Sequence, residues 1–401
     1  MEEKKSIWDL DEFKPIKRKF ILRNQELQKR KSYYDGSVYK DFRVTLGTLA
    51  PRLFNGIKSL YLPLAFAVDM DCGLVPGGWK LNNEKYDLEA ESILIDKIKS
   101  NSDWITSGVL YIHYASMYGQ VFLKSIDGDE PRLEIIEPTK VMLLKSDVYR
   151  KDFNKSIFVS YDEEDNEIAE VIDTFTIRTF LNGELTSENE NVYHKIPYNM
   201  VKFIEDGTSH GENTFQKVTQ ILDEVNELAS YLVTIIKRHA EPQLVLFGNF
   251  DSESLNKSGE NAWLVKDANG KAELLVSNVD IDGILNTVKT FSQNINDGLP
   301  ETIFNRISES ENIGKGTVVK KATPLVVKIN RCRPNFDMGL VKSLRLIGEM
   351  FDETEYSILK ELPDDTFDLN REIIPSTEIE KIELESAQLA LEQQRALSAG
   401  G

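Results

Sequence analysis

A few residue groups in this chain have types and spacings that invite a chemical reading. Gly314-Lys315-Gly316-Thr317 approaches a phosphate-binding loop, in which backbone amides and a lysine cradle phosphates. Glu309 stands where its first glycine is needed, however, and Gly316 where Ser or Thr should hold the metal, so a nucleotide motor is excluded. The histidines His113, His194, His210 and His239 lack the spacing that sets two ligands on one helical face around a metal. His113 falls in an apolar helical pattern and reads as a hydrogen-bonded core residue. The run from Asp162 to Glu167 has the carboxylate density of a calcium loop, but Glu167 replaces the glycine that makes its sharp turn, leaving a solvated hairpin tip. Cys72 and Cys332 have no neighbouring histidine to activate them, and they read as buried thiols of a reducing compartment. With no Gly-x-Ser-x-Gly elbow either, the chain is expected to be no enzyme and to carry no metal or cofactor. The enzymatic rival is a hydrolase built from scattered carboxylates and His113.

The elements that would position these residues follow from periodicity. The first thirty residues are basic around apolar anchors (Phe13, Ile16, Phe20) and read as an arm that docks on something. Helical spacing runs from Val44 to Leu64 and again over Asp87 to Lys99. Asp103 is a good N-cap for a helix from Trp104 to Tyr118 that Gly119 ends. Period two then takes over: Gln120 to Ile126, the turn Asp127-Gly128, Arg132 to Ile136, and strands at Ser156 to Tyr161, Ile168 to Phe180 and Val192 to His194. Residues 120 to 204 are therefore expected to form a β-rich meander.

From residue 214 to 239 apolar residues recur every three or four positions, a rod of about 39 Å at 1.5 Å per residue. Its other side shows Asp223, Glu224, Asn226, Glu227 and Ser230. Pro242 ends it, and strands near Gln243 to Gly248, Ala262 to Val265 and Ala272 to Val276 make a small mixed module. Ile281 to Ile295 is helical, residues 298 to 321 lose all periodicity, and Pro324 to Phe351 is a long helix in which Pro334 predicts a kink. A capping box at Thr377 and Glu380 opens a last helix.

With 401 residues, 41% hydrophobic and 28% charged, the chain can bury a large core, and wholesale disorder is excluded. The N-terminus has no apolar segment of signal-peptide type, and no stretch is long enough to span a membrane, so neither secretion by that route nor insertion in lipid is expected. A net charge of −18 disfavours adhesion to nucleic acid through overall charge. The distribution is uneven: residues 1–31 sum to +4, residues 305–345 to +6 and residues 349–401 to −10.

This order of elements resembles the portal proteins of tailed double-stranded DNA bacteriophages. The residues that carry the resemblance are Ile196-Pro197-Tyr198-Asn199-Met200-Val201-Lys202-Phe203 before a polar loop and the rod, Leu133 to Val141 with Glu137-Pro138, Pro242 to Gly248 after the rod, and the Ser/Gly-rich stretch Ile307 to Lys321 before the long helix. It implies an α+β portal-type fold: a basic arm (1–31), a wing of helices and β meander (32–211), a stem helix (212–239), a clip of small mixed α/β type (240–278), a second stem helix (279–297), a tunnel loop (298–322), a long kinked wing helix (323–351) and a short acidic, helical crown (352–401). In such a family, copies form a homo-oligomeric ring, commonly of twelve, at one capsid vertex of the virion. Double-stranded DNA passes through it during packaging and ejection, without sequence specificity. Its partners are a terminase, a head-tail adaptor, and the major capsid and scaffold proteins.

Carried onto this chain, the resemblance implies an acidic channel lining at Asp223, Glu224 and Glu227, because a lining that repels phosphate lets DNA slide. It implies weak tunnel-loop contacts to the DNA backbone from Lys315, Lys320 and Lys321, with intersubunit salt bridges to the rods as the competing role. It also implies partner docking at Phe247 and Phe250 of the clip, with Trp263 in its core. Another phage head assembly protein, such as a minor head protein, is the non-enzymatic rival.

Overall fold

The computed structural model describes residues 5–40, 61–76, 79–83, 85–128, 130–145, 153–240, 243–247, 262–265, 271–275, 280–303, 315–368, 371 and 373. The fold is α+β, with mainly antiparallel sheets. Two compact units divide the chain: one comprises residues 1–28, 68–214 and 313–401, the other residues 29–67 and 215–312.

The larger unit begins with a 3-10 turn, Ile7–Asp9, closed by a capping box between Ser6 and Asp9, and continues into helix α1 (Lys14–Tyr34). Helices α2 (Leu64–Leu74), α3 (Glu89–Asn101), α4 (Trp104–Ser107) and α5 (Val109–Tyr118) precede the strands. A single helix from Trp104 to Tyr118 was the expectation, but it is divided at Gly108. A side chain there would collide with the Trp104 carbonyl and indole, because that ring folds back beneath the chain to meet Trp79 and Tyr111. Asp103 precedes the first piece in left-handed conformation (φ 49°) and gives it no side-chain cap. Its carboxylate takes the Thr106 hydroxyl instead. Gly119 behaves as its residue type predicts: it ends α5 with φ 86°, its amide donating to the Ala115 carbonyl.

The strands are β1 (Gln120–Ile126), β2 (Arg132–Ile136), β3 (Val141–Leu144), β4 (Lys155–Tyr161), β5 (Glu167–Asp173), β6 (Thr176–Leu181), β7 (Glu184–Glu190) and β8 (Tyr198–Lys202). They form an antiparallel sheet ordered β2-β1-β8 and a five-stranded antiparallel sheet ordered β3-β4-β5-β6-β7. The stretch Ile168 to Phe180, expected as one strand, is two. Asp173 accepts hydrogen bonds from the Phe175 and Thr176 amides and turns the chain between them. Val192 to His194 is no strand but a turn, fastened by the Asn191 amide group donating to the carbonyls of Asp173 and Lys195. The real partner, β7, shows no apolar alternation because all seven of its residues are exposed.

One face of the five-stranded sheet is covered by the chain's own first residues. Ile7, Trp8, Phe13 and Phe20 join Met142, Ile157, Val159, Ala169, Val171 and Phe180 in one core. The arm thus docks on this chain. The buried Glu167 carboxylate secures it, accepting from the Ser6 hydroxyl and the Ile7 amide, both at 2.6 Å. Glu12 adds a fork from Arg178 at 2.8 Å and a contact from Lys155 at 2.8 Å. The other face shares a core with the three-stranded sheet through Phe122, Ile136, Val141, Ile172 and Tyr198.

In the smaller unit, helix α6 (Thr219–Ala240) leads into strands β9 (Gln243–Phe247), β10 (Ala262–Val265) and β11 (Lys271–Leu275), followed by helix α7 (Ile281–Gly298). The strands make a mixed sheet ordered β10-β9-β11, with β9 parallel to β10 and antiparallel to β11. Back in the larger unit, helix α8 (Lys315–Met350) packs on β1 and β8. It starts nine residues before Pro324 and holds both Pro324 and Pro334 inside one helix, so the kink expected at Pro334 does not divide it. Among the described residues, no helix is long and apolar enough to cross a membrane. The expected helix of residues 377–397 lies outside the described residues, as does most of the one over residues 44–64.

The Arg178 fork, assisted by Lys155, holds the Glu12 carboxyl at about 2, down from its ordinary 4.5. A depressed carboxylate stabilises the fold above its unfolded value, and that contribution drains away as pH falls from about 4.5 towards 2. Glu12→Gln is therefore expected to flatten this part of the stability-against-pH curve, measured by urea unfolding at stepped pH. An unchanged curve would show that the Glu12 contacts are not maintained in solution.

Candidate functional site

Helix α6 and helix α7 pack on each other within the smaller unit. They run antiparallel, since a side chain at Gly298, the end of α7, would strike Val218, which leads into α6. Val218, Leu222, Val225, Leu232 and Ile235 are buried, as the helical spacing predicts.

The polar side of α6 is narrower than the sequence suggests. Asn226 is fully buried, its side chain accepting from the Tyr61 amide at 2.7 Å and donating to the Tyr61 carbonyl at 3.4 Å. Ser230 is fully buried as well. Asp223 is half-buried and accepts two hydroxyls, from Tyr33 at 2.7 Å and from Tyr39 at 2.8 Å. Both phenols are driven well above their ordinary range, by burial first and then by the carboxylate they face. What remains in water is a stripe of Gln220, Glu224 and Glu227 at helical spacing. Of the three acids expected along one lining, two stay together on the wet face, while Asp223 is engaged as a structural acceptor. Isolated Tyr and Asp positions 184 or more residues apart carry no sequence signal of pairing.

The basic island of residues 305–345 divides similarly. Lys328 donates to the Thr214 carbonyl and hydroxyl and lies over the Phe203 ring, 5.7 Å from its centre. Thr214 and Ser116 each donate at 2.6 Å to the buried Asp71. Arg333 is almost wholly buried and donates to the carbonyls of Leu74, Val75 and Arg371. Arg371 in turn forks onto Asp337, at 2.7 and 3.0 Å. This buried cluster joins α8 to the end of α2 and to residue 371, and only the contacts themselves reveal it. Lys315 and Lys320 lie in the first turns of α8, and their side chains are outside the described residues. Lys321 is exposed, and Arg306 is outside the described residues.

Phe247 occupies the last position of β9, the central strand of the mixed sheet, level with Val265 and Lys271. Trp263 is level with Val245 on β10, and Phe250 lies outside the described residues.

The residues weighed for enzymatic chemistry are poorly placed for it. Burial lowers the proton affinity of His113, partly offset by Asp69. Burial, with the carboxylates of Asp71 and Asp69, pushes the Cys72 thiol up to about 12, so it is a poor nucleophile at neutral pH. Cys332 is buried. Among the described residues, no group of His, Cys, Asp and Glu side chains is placed to hold a metal ion.

No protein-family model matches the chain, and no curated protein matches it. Among solved structures, a chain described as "Neck of empty GTA particle computed with C6 symmetry" is 12% identical over 70% of this chain and 78% of that one, with a TM-score of 0.45. Another, described as "Virion of native gene transfer agent (GTA) particle", is 11% identical over 72% of this chain and 83% of that one, with a TM-score of 0.38. Likenesses this loose leave the functional reading to this chain's own residues.

Removing both hydroxyls that reach Asp223 leaves a half-buried carboxylate short of donors. Tyr33→Phe with Tyr39→Phe is expected to lower stability by about 1–3 kcal/mol, and Asp223→Ala added to the pair should cost little more. A double-mutant cycle by chemical denaturation measures this, and additive losses would show that the three groups do not interact.

Proposed function

We propose that this chain is the subunit of a portal ring, a structural and non-enzymatic conduit for double-stranded DNA at one vertex of a phage-type capsid. The observation that carries the reading is the antiparallel pair of amphipathic helices, α6 and α7, bracketing a small mixed sheet. A helix with one apolar side and a thin acidic stripe suits a wall that is packed behind and wet in front.

In such a ring Glu224 and Glu227, repeated by symmetry, face the channel and repel phosphate, so that DNA slides rather than sticks. Asp223 acts behind that face by fixing α6 to Tyr33 and Tyr39. Lys315, Lys320 and Lys321, at the start of α8, touch the DNA backbone weakly and without base preference. Few such contacts are tolerable, because each added phosphate contact multiplies affinity and slows sliding. The mixed sheet with Phe247 and Phe250 is the docking end for a terminase during packaging and for a head-tail adaptor afterwards. The remaining surface meets the major capsid and scaffold proteins.

Native mass is the deciding measurement. A ring of twelve 45.7-kDa chains weighs about 548 kDa by native mass spectrometry or sedimentation, and a neighbouring ring size supports the same reading. A chain that stays monomeric or dimeric at every practical concentration, with and without capsid components, would instead favour a minor head protein. For the lysines, Lys315→Ala, Lys320→Ala and Lys321→Ala together are expected to change the yield of packaged DNA while rings form normally. Failure of ring formation would assign those lysines to intersubunit salt bridges.

A further inference from the structure

We propose that the exposed edge strand β7 of one copy of this chain is covered by the outward side of α1 of a second copy. The inference deepens the ring reading and rests on it only in requiring self-association. Its starting point is a layer that stops short. Residues 7–20 cover one face of the five-stranded sheet as far as Phe180 and Arg178 of β6. Leu185, Glu188 and Glu190 of β7 lie opposite Phe180, Arg178 and Thr176, and so continue that same face. All three are exposed, with Leu185 at 51%.

Among the described residues, strand β7 pairs with β6 on one side only, which leaves its outer edge without a strand partner there. An uncovered seven-residue edge strand is longer than folded proteins usually leave in water. Glutamates alone can blunt such an edge against chance pairing. They do not account for the leucine among them, nor for the complementary surface elsewhere on the same unit.

That complement is the outer side of α1. Its inner side buries Phe20, Arg23 and Leu27, which turns Arg18, Leu22 and Gln25 outward in one stripe flanked by Lys19 and Ile21. Leu22 is 55% and Ile21 43% exposed. Arg18 and Lys19 pair with no carboxylate among the described residues. Glu188 and Glu190 likewise make no salt bridge there, since Arg178, across from Glu188, is forked onto Glu12. An apolar pair beside two cations therefore has a leucine beside two carboxylates as its counterpart. A helix laid over β7 would complete the layer that residues 7–20 begin. The two patches differ, so the contact is heterologous and propagates from copy to copy, as closure of a ring requires.

Charge exchange tests the contact on the full chain, by native mass spectrometry and sedimentation against concentration. Arg18→Glu with Lys19→Glu, and separately Glu188→Lys with Glu190→Lys, should each raise the concentration needed for assembly by about tenfold or more. The chain with all four changes should regain assembly, because both signs are then reversed. Circular dichroism checks each fold, and the milder pairs R18Q/K19Q and E188Q/E190Q serve if a reversal unfolds the chain. Assembly that ignores the single-patch variants, or a fourfold variant no better than either, overturns this contact while leaving the ring reading intact. A wild-type chain that never associates overturns both.

Discussion

The larger unit depends on how closely the backbone of α8 approaches the strands beneath it. Gly339 lies where any side chain would intrude on Val201 of β8 and the Tyr111 hydroxyl of α5. With the side chain absent, groups from three elements reach the helix carbonyls. Asn199 donates to the Gly339 carbonyl at 2.6 Å, Tyr111 to that of Phe336 at 3.0 Å, and Ser125 to that of Ser343 at 3.3 Å. Tyr111 and Ser125 are buried and Asn199 half-buried, and each would be costly to leave unpartnered, so they set the register of the helix against the sheet as well as its distance. Pro324 and Pro334 are tolerated within the same helix, whose long contact with β1 and β8 offsets the missing backbone donors.

From that seat the rest of the unit follows in order. Arg333, six residues before Gly339, completes the open carbonyls at the end of α2 and takes hold of residue 371. Asp337, next along the helix, receives the Arg371 guanidinium. Removing either member of such a buried pair strands the other charge away from water, an outcome that typically costs about 3–5 kcal/mol. On the far side, β1 joins β8 and β2, and the core of Phe122, Ile136 and Tyr198 carries the five-stranded sheet. The N-terminal residues then close that sheet's outer face, with Glu167 as the fixed acceptor.

How much of this was legible in the sequence depends on whether neighbours along the chain or across it decide the outcome. Strands β1, β2 and β10, helix α7 and the Gly119 terminus are set by local period and turn chemistry, and their expected positions agree closely with the structure, whereas α6 begins at Thr219, five residues after the start expected at 214. Strand β7 has no periodic signal, because a strand wet on both faces has no reason to alternate; the Asn182-Gly183 turn and its pairing with β6 create it. The division of α4 from α5 was equally hidden, since it depends on where the Trp104 ring goes. For the candidate site, periodicity found the wet side of α6 but overstated its width. A polar residue type does not distinguish Glu224, which meets water, from Asn226, which clamps the backbone of Tyr61.

The same distinction bears on charge. Counted along the chain, residues 305–345 form a basic island, yet three of its cations are spent internally: Arg333 on backbone carbonyls, Lys328 on Thr214 and the Phe203 face, and Arg345 on the Leu362 carbonyl and Asp364. Arg331 and Lys321 stay exposed. A polyanion approaching this chain of net charge −18 therefore finds fewer cations free to touch its phosphates than the sequence count implies. Since each phosphate contact adds to affinity, and a salt-dependent hold grows with their number, burying cations in the fold is one way to keep a DNA-facing surface weak. Weak contact is what passage of DNA through a conduit demands. On the proposed conduit reading, Arg333 and Lys328 would support α8 without adding to the hold on DNA.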